Sequence, residues 1–358
     1  MRLLLVAMLA LLASPALGQG AIPFQDMTRG AIEDYARPKF AALAEAAAGL
    51  KERVAALCAS PSGTAIQSAQ DAFRALVVAY SGVEFMRMGP LNVDERAERL
   101  LFWPDTKGIA LKQVQAALAQ KDATAADPAR LAGKSVAMQG LAAVEYLLFG
   151  TGYEELETSA GAYRCQFAGA ASTLVAGLAQ SLADEWAAAG AGSAADSMLN
   201  PQATSPDFRT ELEVANRLAA VLTFGTDTIR DQRLSPVLSF TTGVPKPRLA
   251  LFWRSGMTAR ALAANFEGLR DFFRAAKFEA ALGAHYAWIA DGAEFEFSHA
   301  LEAAGKVPDS IEATVSDPQG LAALKQMYVS TGSLDTLLGE NLAGALGLSA
   351  GFSALDGD

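Results

Sequence analysis

Two carboxylates stand in stretches from which water should be excluded. Glu145 lies in SVAMQGLAAVEYLLFG (135–150), where a helix expected over Val136–Phe149 has only Gln139 and Glu145 as strongly polar residues. A helix that is apolar on all sides is buried, and an ionised carboxylate taken out of water must find a cation, a metal or a proton. Glu84 poses the same problem in LVVAYSGVEFMRMG (76–89), with Arg87 three residues on and on the same helix face. The residues leave two readings open. Either Glu84 and Glu145 are members of buried ion pairs that hold helices in register, or they line a polar cleft between helices where a metal or an anionic group binds.

The elements that must position them are helical. YARPKFAALAEAAAGLKERVAALC (35–58) is amphipathic, and SAQDAFRALVVAYSGVEFMRMG (68–89) reads as a second helix stopped by Gly89-Pro90. DPARLAGKSVAMQGLAAVEYLLFG (127–150) starts with Asp127 as cap and Pro128 in the first turn and ends at Gly150. The same start signal recurs at Ser205-Pro206 and Asp317-Pro318, whereas four closely spaced breakers, Pro236, Gly243, Pro245 and Pro247, make 234–249 an ordered loop. Leu-Phe-Trp occurs at 101–103 and again at 251–253, each time after a Pro-marked break and before a helix. That echo fits two helical-bundle halves, a duplicated four-helix bundle, in an all-α chain.

At the N-terminus, Arg2, the apolar run Leu3–Ala13 and the small residues Ala16 and Gly18 read as a secretory signal peptide over 1–18. No Cys lies near the cut for a lipid anchor, and no later segment has the roughly 18 apolar residues of a membrane span. The expected divisions are therefore signal peptide 1–18, N-terminal bundle 19–155 and C-terminal bundle 156–358, in a periplasmic protein. The net charge of −10 argues against nucleic acid and anionic membrane surfaces as partners. Cys58 and Cys165 are the two cysteines. An oxidising compartment permits a disulfide between them, but spacing alone leaves open whether they meet.

Motifs of an enzyme are scarce. His-Glu-x-x-His is absent, and the two histidines are His285 and His299. Glu296, His299 and Glu302 resemble half of a di-iron bundle site, but no second Glu-x-x-His exists, so a solvated helix face is the expectation. GLSAG (347–351) follows a helical segment where a nucleophile elbow needs a strand, and GKS (133–135) lacks the upstream glycine of a phosphate loop.

Several pieces in order, ERLLFWPDTKG (98–108), KSVAMQGLAAVEYLLFG (134–150), YRCQFA (163–168), LFWRSGMT (251–258) and the terminal GFSALDGD, resemble the imelysin-like family of exported bacterial proteins, also called the insulin-cleaving membrane protease family. The resemblance implies a fold of two helical halves, a link with iron uptake in some members and a historical peptidase label. The family signature Gly-x-His-x-x-Glu falls on Gly140, Ala142 and Glu145, so alanine replaces the histidine. Likeness to the family also draws attention to Glu84, Trp103, Asp105, Arg254 and Ser255, and favours a Cys58–Cys165 disulfide, since LCASPS (57–62) and YRCQFA look like family segments. Arg254, just before a helix, could pair with Glu145 or hold an anion. The leading expectation is a non-catalytic periplasmic protein that binds a metal ion or small ligand, iron among them, in the service of metal uptake, with an iron-transport component as a partner. Its candidate site lies between Glu84 and Glu145 with Asp105 and Arg254 nearby. The alternatives are a metal-dependent peptidase and a structural module whose carboxylates only hold the bundle together.

Overall fold

The structure, a computed structural model, describes residues 22–349. The expected signal peptide and GFSALDGD lie outside the described residues. Within them the regular structure is helical, without strands. Nine of the longer helices carry the architecture: α1 (Arg37–Ala59), α2 (Gly63–Ser81), α3 (Ile109–Gln120), α4 (Gly140–Phe149), α5 (Ala162–Ala187), α6 (Glu211–Asp227), α7 (Thr258–Ala275), α8 (Ala287–Ala304) and α9 (Pro318–Asp335).

Helical periodicity explains what each buries. In α1 the buried set Phe40, Leu43, Ala44, Ala47, Leu50, Val54 and Leu57 recurs every three or four residues. Facing it, α5 buries Ala168, Ala171, Val175, Ala179 and Leu182. The alanines let the two helices run closely together along their length, and a Cys58–Cys165 disulfide, with Cα atoms 5.5 Å apart, ties the end of α1 to the start of α5. Helices α1, α2, α4 and α5 form one group, and α6 to α9 form the second. Because α5 packs back along α1 and α4, the first group includes residues on both sides of the division expected at 155.

Helices α2 and α7 join the groups. Gly268 of α7 is pressed so near the end of α2 that a Cβ there would lie 2.7 Å from the Gly82 carbonyl oxygen. The buried apolar side chains consequently form one cluster that runs through both groups.

Two caps act as expected. Asp127 accepts the amides of Ala129 and Arg130 at 2.9 and 3.2 Å, and Asp317 accepts that of Gly320 at 2.8 Å. The Ser205-Pro206 start does not open a helix. Ser205 closes a turn onto Asp207 and Phe208, and α6 begins with Thr210 as its cap, donating Glu213 N–H to Thr210 Oγ1 at 3.2 Å. The segment expected to be loop over 234–249 begins with one helical turn, Ser235–Leu238. No described helix is long and apolar enough to cross a membrane.

Candidate functional site

Helix α4 carries Glu145, and glycine fixes where that helix begins. Gly140 has φ +69°, and a Cβ on it would lie 2.5 Å from the carbonyl oxygens of both Arg99 and Leu100. The helix expected from Val136 therefore divides into a 3-10 turn, Val136–Met138, and α4. Gln139 sits at the break and donates to the carbonyls of Leu131 and Lys134 at 3.0 and 2.9 Å. At the other end, Arg164 donates to the carbonyls of Tyr146, Leu147 and Thr151 at 3.3, 3.2 and 2.6 Å, a cation on a helix C-terminus. Gln70 supplies a further bond to the Leu148 carbonyl at 2.8 Å. Gly140→Ala is expected to destabilise the chain by about 2–5 kcal/mol, since left-handed backbone costs alanine ~1–2 and overpacking ~1–3. Urea unfolding measures it, and a loss below about 1 kcal/mol would contradict the close approach.

Glu145 is 4% exposed. Its Oε1 accepts the Ser255 amide at 3.0 Å and the Ser255 hydroxyl at 2.8 Å. Burial raises the carboxyl's pKa above the usual 4.5, opposed by the Ser255 donors and the Arg254 charge. Because the folded state then holds a proton more tightly than the unfolded state, this group's contribution is full below about pH 4.5 and declines as pH rises through the raised value. Glu145→Gln keeps an acceptor for Ser255 and removes the titration. The variant should gain stability relative to the parent between pH 4 and pH 8, and urea midpoints that stay parallel across that range would contradict the assignment.

Of the two roles open to Arg254, pairing with Glu145 or holding an anion, the ion pair is not formed. The Arg254 guanidinium stands 4.4 Å from the Trp253 ring centroid and 5.4 Å from that of Tyr146. A tight turn is the cause. Phe252 takes φ +59° and Gly256 φ +70°, while Thr258 Oγ1 donates to the Leu251 carbonyl at 2.8 Å and Ser255 Oγ to that of Phe252 at 3.1 Å. The turn brings the Ser255 amide, rather than the Arg254 side chain, to the carboxylate.

Glu145, Tyr146, Trp253 and Arg254 line a cavity of about 250 Å³, whereas Ser255 lies behind it, on the wall of a neighbouring open groove. Trp103 and Asp105 come from the segment before α3, Ala142, Glu145 and Tyr146 from α4, and Arg248, Trp253 and Arg254 from the segment before α7. Phe102 and Trp103 of the first Leu-Phe-Trp and all of the second line the same space, so the two tripeptides meet at one site. Trp103 Nε1 donates to the Gln232 carbonyl at 3.3 Å. Asp105 is occupied as a cap, its two oxygens accepting the amides of Ile109 and Ala110 at 2.7 and 2.8 Å.

The donor set does not fit a metal ion held by protein ligands alone. Ala142 offers no donor atom, Asp105 is engaged with helix amides, and Glu145 is a single carboxyl partly held by Ser255. Among the described residues no group of three or more His, Cys, Asp and Glu could hold a metal. His285 and His299 are exposed and away from the cavity.

Glu84 is elsewhere. Helix α2 ends at Ser81, so Glu84 lies in the following turns and not on a helix face shared with Arg87. Its Oε2 is 2.6 Å from Arg233 Nη2, its Oε1 accepts from Asn265 Nδ2 at 2.8 Å, and the group is 3% exposed. Arg87 pairs with Glu98 at 2.8 Å and stacks over Phe224. Glu84 is thus a buried ion-pair member where the two helix groups meet, not a wall of the cavity.

A sequence profile of the imelysin family matches residues 36–337. Among solved structures, an imelysin-like protein from Psychrobacter arcticum 273-4 superposes with a TM-score of 0.76 at 17% identity, covering 93% of this chain and 99% of that one. A protein assigned as an iron-regulated protein A precursor, from Parabacteroides distasonis ATCC 8503, gives 0.68 at 12% identity, with 89% and 97% covered. No curated protein matches the chain. With the profile spanning most of the sequence, the chain belongs to the imelysin family.

Proposed function

We propose that the chain is an exported periplasmic binding protein associated with iron or metal acquisition, with no catalytic role, and that its ligand occupies the cavity between Trp103 and Trp253. The observation that carries this reading is the convergence of Trp103, Asp105, Ala142, Glu145 and Arg254 on one cavity from three separate segments. Family membership and the likeness to a protein assigned as iron-regulated support the iron association. A peptidase working through metal-bound water needs several protein ligands and an open position, and with Ala142 in the signature the cavity does not supply them. A metal taken here brings part of its own ligand shell.

Thermal unfolding of the chain with Fe(II), Fe(III) chelates, Zn(II), Cu(II), Ca(II) and haem tests the reading. A ligand at about a hundred times its dissociation constant adds roughly 2.7 kcal/mol, a shift on the order of 4 °C for a chain of this length. A selective iron-dependent shift, lost in Glu145→Gln, is the expected result. Absence of a shift with any of them would overturn it.

A further inference from the structure

We infer that the cavity takes a small organic anion bearing two or more carboxylates, gripped by Arg248 and Arg254 on the Trp253 indole. The inference rests on the cavity's being the binding site proposed above and adds the class of ligand; a metal would then enter as its complex with such an anion.

Both guanidiniums line the cavity and lie against one ring, their Cζ atoms 5.5 and 4.4 Å from the Trp253 centroid. Neither has an ion pair or a side-chain hydrogen bond to a protein acceptor among the described residues. The neighbouring open groove shares Trp253 and Arg254 with the cavity, but its other arginines, Arg74 and Arg260, stand near Asp71 and Asp309, at 2.6 and 3.9 Å. Burial lowers the pKa of Arg254 most; the Glu145 and Tyr146 side chains oppose that shift and the Arg248 charge adds to it, so a partly desolvated cation stands beside a like charge. An anion relieves both costs. Cation–π contact with an indole holds a guanidinium near the ring while leaving N–H groups free for two-oxygen recognition of a carboxylate.

The cavity's own carboxylates do not compete strongly. Asp105 gives both oxygens to helix amides, and Glu145 gives Oε1 to Ser255 while burial favours its neutral form. The remaining walls are apolar, with Phe102, Leu111, Val114, Leu251 and Phe252, and accept a carbon skeleton that inorganic phosphate lacks. At about 250 Å³ the space is below the range for drug-sized ligands, so the anion is small.

Calorimetric titration of the whole chain with citrate, Fe(III)-citrate, inorganic phosphate and bare Fe(II) or Zn(II) tests this, in the parent and in Arg254→Gln, Arg248→Gln and the groove control Arg260→Gln. Citrate is expected to bind, at least roughly tenfold more weakly in Arg254→Gln, more weakly in Arg248→Gln, unchanged in Arg260→Gln, and phosphate far less well. If Arg254→Gln does not fold, Arg254→Lys keeps the charge, loses the two-oxygen fork and is expected to weaken citrate as well. Citrate binding with no preference for its iron complex would support the anion site and count against the metal-acquisition reading. Bare metal ions binding equally in parent and Arg254→Gln, with no heat from citrate, would overturn the anion site and leave the metal reading standing. No binding by any probe would overturn both, and phosphate binding as tightly as citrate would overturn the carboxylate assignment.

Discussion

Arg233→Met is expected to lower the stability of the folded chain by about 3–5 kcal/mol, the cost of leaving one member of a buried ion pair uncompensated. Glu84 and Arg233 are 3% and 6% exposed and meet at 2.6 Å. Asn265 gives Glu84 one further bond at 2.8 Å and also donates to the Ser81 carbonyl at 2.7 Å. The neutral amide cannot replace the guanidinium's charge. Arg233 Nε and Nη1 make no protein hydrogen bond, so Glu84 is that cation's main compensation in turn. The double variant Glu84→Leu/Arg233→Met should recover most of the loss, because both charges then leave the interior together. Urea unfolding of the two singles and the double gives the coupling. A single-variant loss under about 1 kcal/mol, or a double as unstable as the worse single, would contradict a pair that holds the junction between the helix groups.

The second large effect belongs to the disulfide. Cys58 and Cys165 are 107 residues apart in sequence, and closing a loop of about 100 residues removes unfolded-state entropy equivalent to about 4.7 kcal/mol in the chain-entropy account. Cys58→Ala/Cys165→Ala is therefore expected to lose about 4–5 kcal/mol while keeping its helices, since α1 and α5 still bury their alanine-lined faces against each other. Urea midpoints of the parent, with and without reductant, against the double variant measure it. A variant within about 1 kcal/mol of the oxidised parent would contradict the bond's placement across the two longest helices of the first group.

The sequence pattern carried the helical class and the oddity of Glu145, because period and burial are local properties. It was less able to say where a helix stops. Gly82 is compatible with helix, so nothing in LVVAYSGVEFMRMG signals that the chain turns after Ser81 and takes Glu84 off the face shared with Arg87. Arg233 was not legible at all: it lies 149 residues from Glu84, in a π-helical turn (Thr228–Leu234) whose charged sequence reads as surface. Arg248 is hidden for a similar reason, since its Pro-rich loop carries no periodic pattern. Within LFWRSGMT the residues leave open whether Arg254 pairs with Glu145 or holds an anion; positive φ at Phe252 turns the backbone so that Ser255 reaches Glu145 and Arg254 faces the aromatic rings. The echoed Leu-Phe-Trp suggested two related halves. What it could not reveal is that both copies line one cavity.

The most direct test of the central claim is a crystal structure of the chain grown with Fe(III)-citrate, with anomalous scattering collected at the iron edge. The expected result is an iron peak inside the cavity between Trp103 and Trp253, with ligand carboxylates on Arg248 and Arg254. Iron found only on the surface or in the open groove beside Arg260, with the cavity empty, would contradict it.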